Sequence, residues 1–203
     1  MSLVTQMSNV DLLAAVVGDS ADTLLKEFRG SLYQLLHDAS SIDHRVEESA
    51  PHTAWGAARF RLDSARELVK RALEERLHRE AMFSPGAVRD YLRAAMSALR
   101  FEVFMVLFLD GQNRLIASRE CFRGTVSQTS VYPREIVKMA LEYNCSAVIF
   151  AHNHPSGVAE PSHADRTLTD SLRQALALVD VRVIDHLIVG CGTTLSFAEQ
   201  GLM

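Results

Sequence analysis

Seven consecutive residues, Val103 to Leu109 (VFMVLFL), are apolar. A strand with no polar alternation has no side to offer to water, so it must be covered on both faces. Asp110-Gly111 closes the run and RLIASREC follows it, which reads as a hairpin. Before this point, apolar residues recur at three- and four-residue steps. After it, strand-like and helix-like segments alternate. PREIVKMALEYN is a helix with proline near its start, and SAVIFAHNH is a β-branched strand halted by Pro155. A helix follows from about Ser162 to Val179, then the strand VRVIDHLIVG, then TTLSFAEQG as an edge strand. This order predicts an α/β fold, a mixed sheet flanked by helices, preceded by a small all-helical N-terminal domain.

The expected division is a helical region over 1–81 and the sheet domain over 82–203. In the first part, VDLLAAVVG and ADTLLKEFRGSLYQLLHDAS carry Leu24, Leu25, Phe28, Leu32, Leu35 and Leu36 at helical spacing, with Ser20 or Asp22 as cap. A long helix from about Ala54 to Ala81 places Leu62, Ala65, Leu68, Val69, Ala72, Leu73 and Leu77 on one side. Ser84-Pro85 starts another, with Ser84 as N-cap and Pro85 in the first turn, carrying Val88, Tyr91, Leu92 and Met96.

Composition narrows the function classes. No apolar run reaches membrane-spanning length, and MSLVTQMSNVDLL lacks the basic start and long apolar stretch of a signal peptide. Cys121, Cys145 and Cys191 are odd in number and widely spaced, against a disulfide framework or a cysteine zinc site. A cytoplasmic location is the expectation. The net charge of −4 offers no global attraction to phosphate backbones.

The stretch His152–Asp165, HNHPSGVAEPSHAD, carries the chemistry. Side chains two apart on a strand share a face, so His152 and His154 can converge on one metal. Pro155, Gly157 and Pro161 reverse the chain, which lets Asp165 return to the same point. Two neutral histidines and one carboxylate leave a fourth position for water, the arrangement of a catalytic zinc site. Plainer readings stand beside this one: Ser162-x-x-Asp165 is also a helix capping pair, and a histidine pair can simply end a strand.

His152-x-His154, seven residues, Ser162, two residues and Asp165 match the JAMM (MPN+) metalloprotease motif, and the text around them resembles the bacterial RadC family. EVFMVLFLD, the Gly124-Thr125 turn, YPREIVKMAL, AHNHPSG, PSHAD and IDHLIVG occur in that family's order, over about residues 84–203. The resemblance implies zinc held by His152, His154 and Asp165, with Glu102 as general base and Ser162 donating to the water or the developing oxyanion. It implies hydrolysis of a peptide or isopeptide bond in a protein or peptide substrate. By the residues alone, Glu102 is equally a solvated strand end, and Asp185-His186 is either a support for the ligands or a satisfied core pair. Asn153 points away from the ligands and is read as fixing backbone, while His163 is read as surface.

RadC-like proteins often carry a helix-hairpin-helix near the N-terminus. The matching place here, SAPHTAWGAARFRLDSARELVKRAL, has Gly56 but no G-x-G, and its arginines and lysines interleave with acids. A nucleic-acid-binding repair accessory is the alternative class. A zinc deaminase is excluded, since no glutamate lies inside the histidine motif and no P-C-x-x-C follows. Two candidate edge strands would allow a homodimer.

Overall fold

The computed structural model describes residues 7–27, 29–32, 35, 54–79, 84–124 and 131–203. The chain divides into two compact units, Met1–Arg71 and Ala72–Met203. In the first, α1 (Asn9–Val17) begins at Ser8, whose hydroxyl accepts the Asp11 N–H at 3.2 Å, and ends at Gly18 with φ 75°. A 3-10 turn leads into α2 (Ala21–Glu27). The helical pattern predicted beyond this point is interrupted. Gly30 takes φ 79° and donates its N–H back to the Leu25 carbonyl at 2.7 Å, a left-handed helix stop that outweighs the apolar spacing. Phe28 and Leu36 lie outside the described residues, as do Thr125 of the predicted turn and residues 49–53 of the helix-hairpin-helix-like place.

The helix α3 (Ala54–Arg79) supplies both units. Ala58 and Leu62 join Leu13, Val17, Ala21, Leu24 and Leu35 in the first unit's core, whereas Leu77 is buried in that of the second. The single apolar side expected for this helix is therefore corrected. Leu68 and Val69 are 68% and 56% exposed, because they fall in the stretch between the turns that serve the two cores.

The second unit is built on a five-stranded mixed sheet in the order β2-β1-β3-β4-β5. The strands are β1 (Val103–Leu109), β2 (Leu115–Arg123), β3 (Ala147–Asn153), β4 (Arg182–Val189) and β5 (Thr194–Ser196). Only β3 and β4 run parallel; the other pairs are antiparallel. All seven residues of β1 are buried, as an uninterrupted apolar run requires, and so are all seven of β3, of which the last two are His152 and Asn153. One face of the sheet packs Met105, Leu107, Ile149 and Ala151 against Leu77 and α4 (Pro85–Met96). The other packs Phe104, Val106, Phe108 and Phe150 against α5 (Pro133–Glu142) and α6 (His163–Ala177). Ser84 caps α4 as expected, accepting the Ala87 N–H at 3.3 Å with Pro85 in the first turn. Among the described residues no helix is long and apolar enough to cross a membrane.

Asn153 shows how the end of β3 organises its neighbour. Its Oδ1 accepts the Val103 N–H at 2.8 Å, and its Nδ2 donates to the carbonyls of Phe101 and Leu99 at 3.0 and 3.3 Å. The amide thus does the work of a missing strand rung and holds the chain that enters β1, including Glu102. Asn153→Ala leaves the Val103 N–H buried without that acceptor, so it should lower unfolding free energy by about 1–3 kcal/mol in urea titration. A loss near zero would mean that this chain segment is held by other contacts.

Candidate metal centre

The site forms where β3 ends and α6 begins, at the carboxyl end of the parallel pair, where α/β sheets leave a crevice. Phe104 of β1 is paired with His152 of β3, and both point to the α6 side. Continuing that antiparallel register outward brings Glu102 level with His154. From the far side, α6 presents Asp165 in its first turn. Three segments distant in sequence, at 102–104, 152–154 and 165, therefore meet at one corner of the sheet.

The helix start is a complete capping box. Ser162 Oγ accepts the Asp165 N–H at 3.1 Å, and Asp165 Oδ2 accepts the Ser162 N–H at 2.7 Å. The Ser162 hydroxyl also donates to the same Oδ2 at 2.7 Å. With Oδ2 committed to the cap, Oδ1 faces His152.

The three ligand candidates are brought together. His152 Nε2 lies 2.9 Å from His154 Nε2 and 3.4 Å from Asp165 Oδ1, and His154 Nε2 lies 3.8 Å from Asp165 Oδ2. Donor atoms bound at about 2.0–2.1 Å around a tetrahedral ion stand about 3.3 Å apart, so these edges fit one cation. Among the described residues this is the one group of histidine, cysteine or carboxylate side chains that could hold a metal ion. Donor chemistry agrees with the spacing. His154 Nδ1 lies 2.7 Å from the Val158 carbonyl, which can only accept, so the ring hydrogen is on Nδ1 and Nε2 offers a lone pair.

The loop that bears this carbonyl is held by a close backbone approach. Cys191 N–H donates to the Gly157 carbonyl at 2.8 Å, laying the Pro155–Pro161 loop against the β4–β5 connection. A Cβ on Gly190 would stand 2.5 Å from Gly157 O, and Gly157 itself takes φ 84°. Neither glycine was singled out for this by the sequence reading. Of the pair read either as a support for the ligands or as a core pair, His186 touches a ligand candidate, and Thr169 behind it was missed altogether. His152 Nδ1 lies 2.8 Å from His186 Nε2, and His186 Nδ1 lies 2.6 Å from Thr169 Oγ1. Thr169 follows Asp165 by one helical turn, a spacing that could have flagged it. Asp185 belongs elsewhere: it accepts the Ala198 N–H at 3.0 Å and the Ser196 hydroxyl at 2.6 Å, securing the chain after β5. His163 is exposed, as read.

Burial grades the site from floor to mouth. His152 is 1% and His186 0% exposed, while His154 and Asp165 are partly open. Burial pushes the His152 imidazole down to about 4; the Asp165 carboxylate opposes this and His154 adds to it. His186 is held well below the ordinary histidine range, again by burial, with His152 and His154 reinforcing it. Burial raises the Glu102 carboxyl, with His154 opposing and Asp165 reinforcing, so that it sits closer to neutrality as a proton carrier.

Residues 82–202 match the sequence model of a family described as the RadC-like JAB domain. A UPF0758 protein of Nitrosospira multiformis is 56% identical over 187 residues, covering 91% of this chain and 80% of its own. A second, from Nitrosomonas eutropha, is 46% identical over 213 residues, covering 98% of this chain and 91% of its own. A third, from Leptothrix cholodnii, is 58% identical over 148 residues, covering 72% and 67%.

The two depressed histidines set a pH dependence for the metal-free protein. In the fold they stay neutral, whereas in the unfolded chain they take up protons below about pH 6.5. Their contribution is complete above 6.5 and is lost as pH falls toward 4; Glu102, raised, works in the opposite sense but is one group against two. The Tm of chelator-treated protein should therefore fall steadily from pH 6.5 to 5, where ordinary carboxylates remain ionised. A flat Tm over that range would show the rings charging within the fold.

Proposed function

The chain belongs to the RadC-like JAB domain family, and from that footing we propose that it is a zinc-dependent hydrolase of the JAMM type, acting on peptide or isopeptide bonds. The observation that carries this reading is the convergence of two imidazole nitrogens, 2.9 Å apart, on the Asp165 carboxylate, whose Oδ1 lies 3.4 Å from His152 and whose Oδ2 lies 3.8 Å from His154, beside a half-buried carboxyl. His152, His154 and Asp165 would hold the zinc. Zinc held there supplies Lewis acidity, lowering the pKa of a bound water towards about 7 and polarising an amide carbonyl.

The other tasks fall to the chain's own residues. Glu102, level with His154 and raised by burial, takes up the proton released as water attacks and passes it to the departing amine nitrogen. Ser162 sits at the mouth. Its hydroxyl can turn from Asp165 Oδ2 towards a developing oxyanion, while the Ser162 N–H keeps that carboxylate oxygen in place. The positive end of α6 lies behind both groups and favours negative charge there. Burial of His152 at the floor and partial exposure of His154 leave one open side, from which a carbonyl can approach.

The test compares native protein, Glu102→Gln and His154→Ala in metal content and in cleavage of peptide and isopeptide substrates. Native protein should carry about one zinc per chain, and His154→Ala should lose it. Glu102→Gln should keep the metal yet lose about 10²–10⁴-fold in kcat/KM, the contribution of a positioned acid/base. Its metal-free Tm should not fall, because the carboxylate charge is disfavoured where Glu102 sits. Undiminished cleavage in Glu102→Gln would remove it as the proton carrier; native protein that binds no zinc would remove the hydrolase reading.

A further inference from the structure

We infer that Thr169 and His186 are positioning residues for the metal centre: they fix the tautomer of His152 so that its Nε2 carries no hydrogen and can bind a cation. The inference rests on the metal-centre reading above and adds to it a hydrogen-bond chain that no ligand residue supplies.

Neutral imidazole has one ring hydrogen, and each contact in the chain needs one donor and one acceptor. The chain starts at the Asp165 carbonyl, which can only accept. Thr169 Oγ1 stands 2.6 Å from it, so the hydroxyl hydrogen goes to Asp165. Towards His186 Nδ1, at 2.6 Å, Thr169 must then accept, which puts the His186 hydrogen on Nδ1. His186 Nε2 is left with a lone pair and accepts from His152 Nδ1 at 2.8 Å. The single hydrogen of His152 is thus on Nδ1, and its Nε2 is bare.

Reversing the chain shows what is at stake. Were the His186 hydrogen on Nε2, His152 would carry its own on Nε2 and donate it to His154 Nε2 across 2.9 Å. The two histidines would then form a satisfied pair with no place for a cation. Each arrangement leaves one close contact without a hydrogen: reversed, Thr169 Oγ1 and the Asp165 carbonyl at 2.6 Å; as first drawn, the two Nε2 atoms at 2.9 Å, which is where a cation would sit. One buried hydroxyl, 1% exposed, therefore decides between an internally bonded histidine pair and two lone pairs aimed at a metal. With His154 fixed by Val158, both lone pairs point into the same small space.

Backbone geometry places His186 for this task. The β3–β4 register slips by one residue between Val148 and Ile149, so that Ile149 pairs with Asp185 and Phe150 with His186. Were Ile184 paired with Ile149 and the slip absent, Asp185 would fall opposite Phe150 on the ligand face and His186 opposite Ala151 on the other. Phe104, Phe150 and Phe197 wrap the His186 ring with centroids 5.6, 5.9 and 4.7 Å away, which excludes water from the chain. The chain also joins β3, β4 and α6, and it ends on the backbone of Asp165, itself a ligand candidate.

Zinc affinity measured by chelator competition tests this apart from any cleavage. Thr169→Val keeps the shape but removes the hydroxyl, and should weaken zinc binding by about 10–100-fold. Thr169→Ser should restore affinity to within about threefold of native. A second measurement needs no variant: long-range ¹H–¹⁵N spectra of the native metal-free protein should show the His186 hydrogen on Nδ1. Native affinity in Thr169→Val, or a His186 hydrogen found on Nε2, overturns the inference. Native protein that takes up no zinc counts against the hydrolase reading instead, and the tautomer spectrum still decides this one.

Discussion

Both edges of β3 are occupied, by β1 on one side and β4 on the other, and both of its faces are buried. A strand in that position cannot slide, because a shift of one residue would exchange every side chain between the two cores. That immobility sets the direction in which His152 points and the level at which Glu102 arrives. It also turns the end of the strand into the only part free to serve chemistry. The apolar residues of β3 anchor it, and the polar ones, His152 and Asn153, come last, where the ladder gives way to the loop.

The buried polar groups of this corner have partners, and those partners divide between the two sheet faces. Asn153, on one side, replaces backbone hydrogen bonds for the chain entering β1. His152, on the other, is bonded to His186 and through it to Thr169. Each such group would be costly to bury alone. Together they make the position of Glu102 and the orientation of His152 consequences of the same two adjacent residues. The helix α6 completes the corner from outside, since Leu172 and Leu176 fasten it to the sheet while its first turn delivers Asp165.

Local chemistry was the part of this molecule most open to reading from sequence. The seven apolar residues of β1, the Ser84-Pro85 helix start, the histidine pair at strand spacing and the Ser162-x-x-Asp165 start of α6 all depend on neighbours within a few residues. The α/β order follows from them. What escaped was set by contacts distant in sequence. A slip at Ile184 decides which of Asp185 and His186 joins the ligand face, and no periodicity announces a single inserted residue. Thr169 reads as an ordinary helical residue until β4 is placed beside it. Leu68 and Val69 satisfy the helical apolar pattern yet remain exposed, because one helix divides its burial between two cores. Gly30 broke a pattern that apolar spacing alone would have continued.

Asp165 shows why the capping and ligand readings of one motif are compatible. A carboxylate has two oxygens and several lone-pair directions. Oδ2 takes the Ser162 N–H and hydroxyl, which locks the side chain to the first turn of α6, and Oδ1 is left facing His152. The cap therefore reduces the freedom that a ligand would otherwise lose on binding a cation, and the helix dipole favours the charge the ligand must carry. Thr169 extends the same economy one turn further, because it ties the backbone of one ligand candidate, Asp165, to His186, the ring that contacts another, His152. A helix start and a candidate metal centre here draw on the same atoms, so the features that make α6 begin at His163 also bring Asp165 to the two histidines.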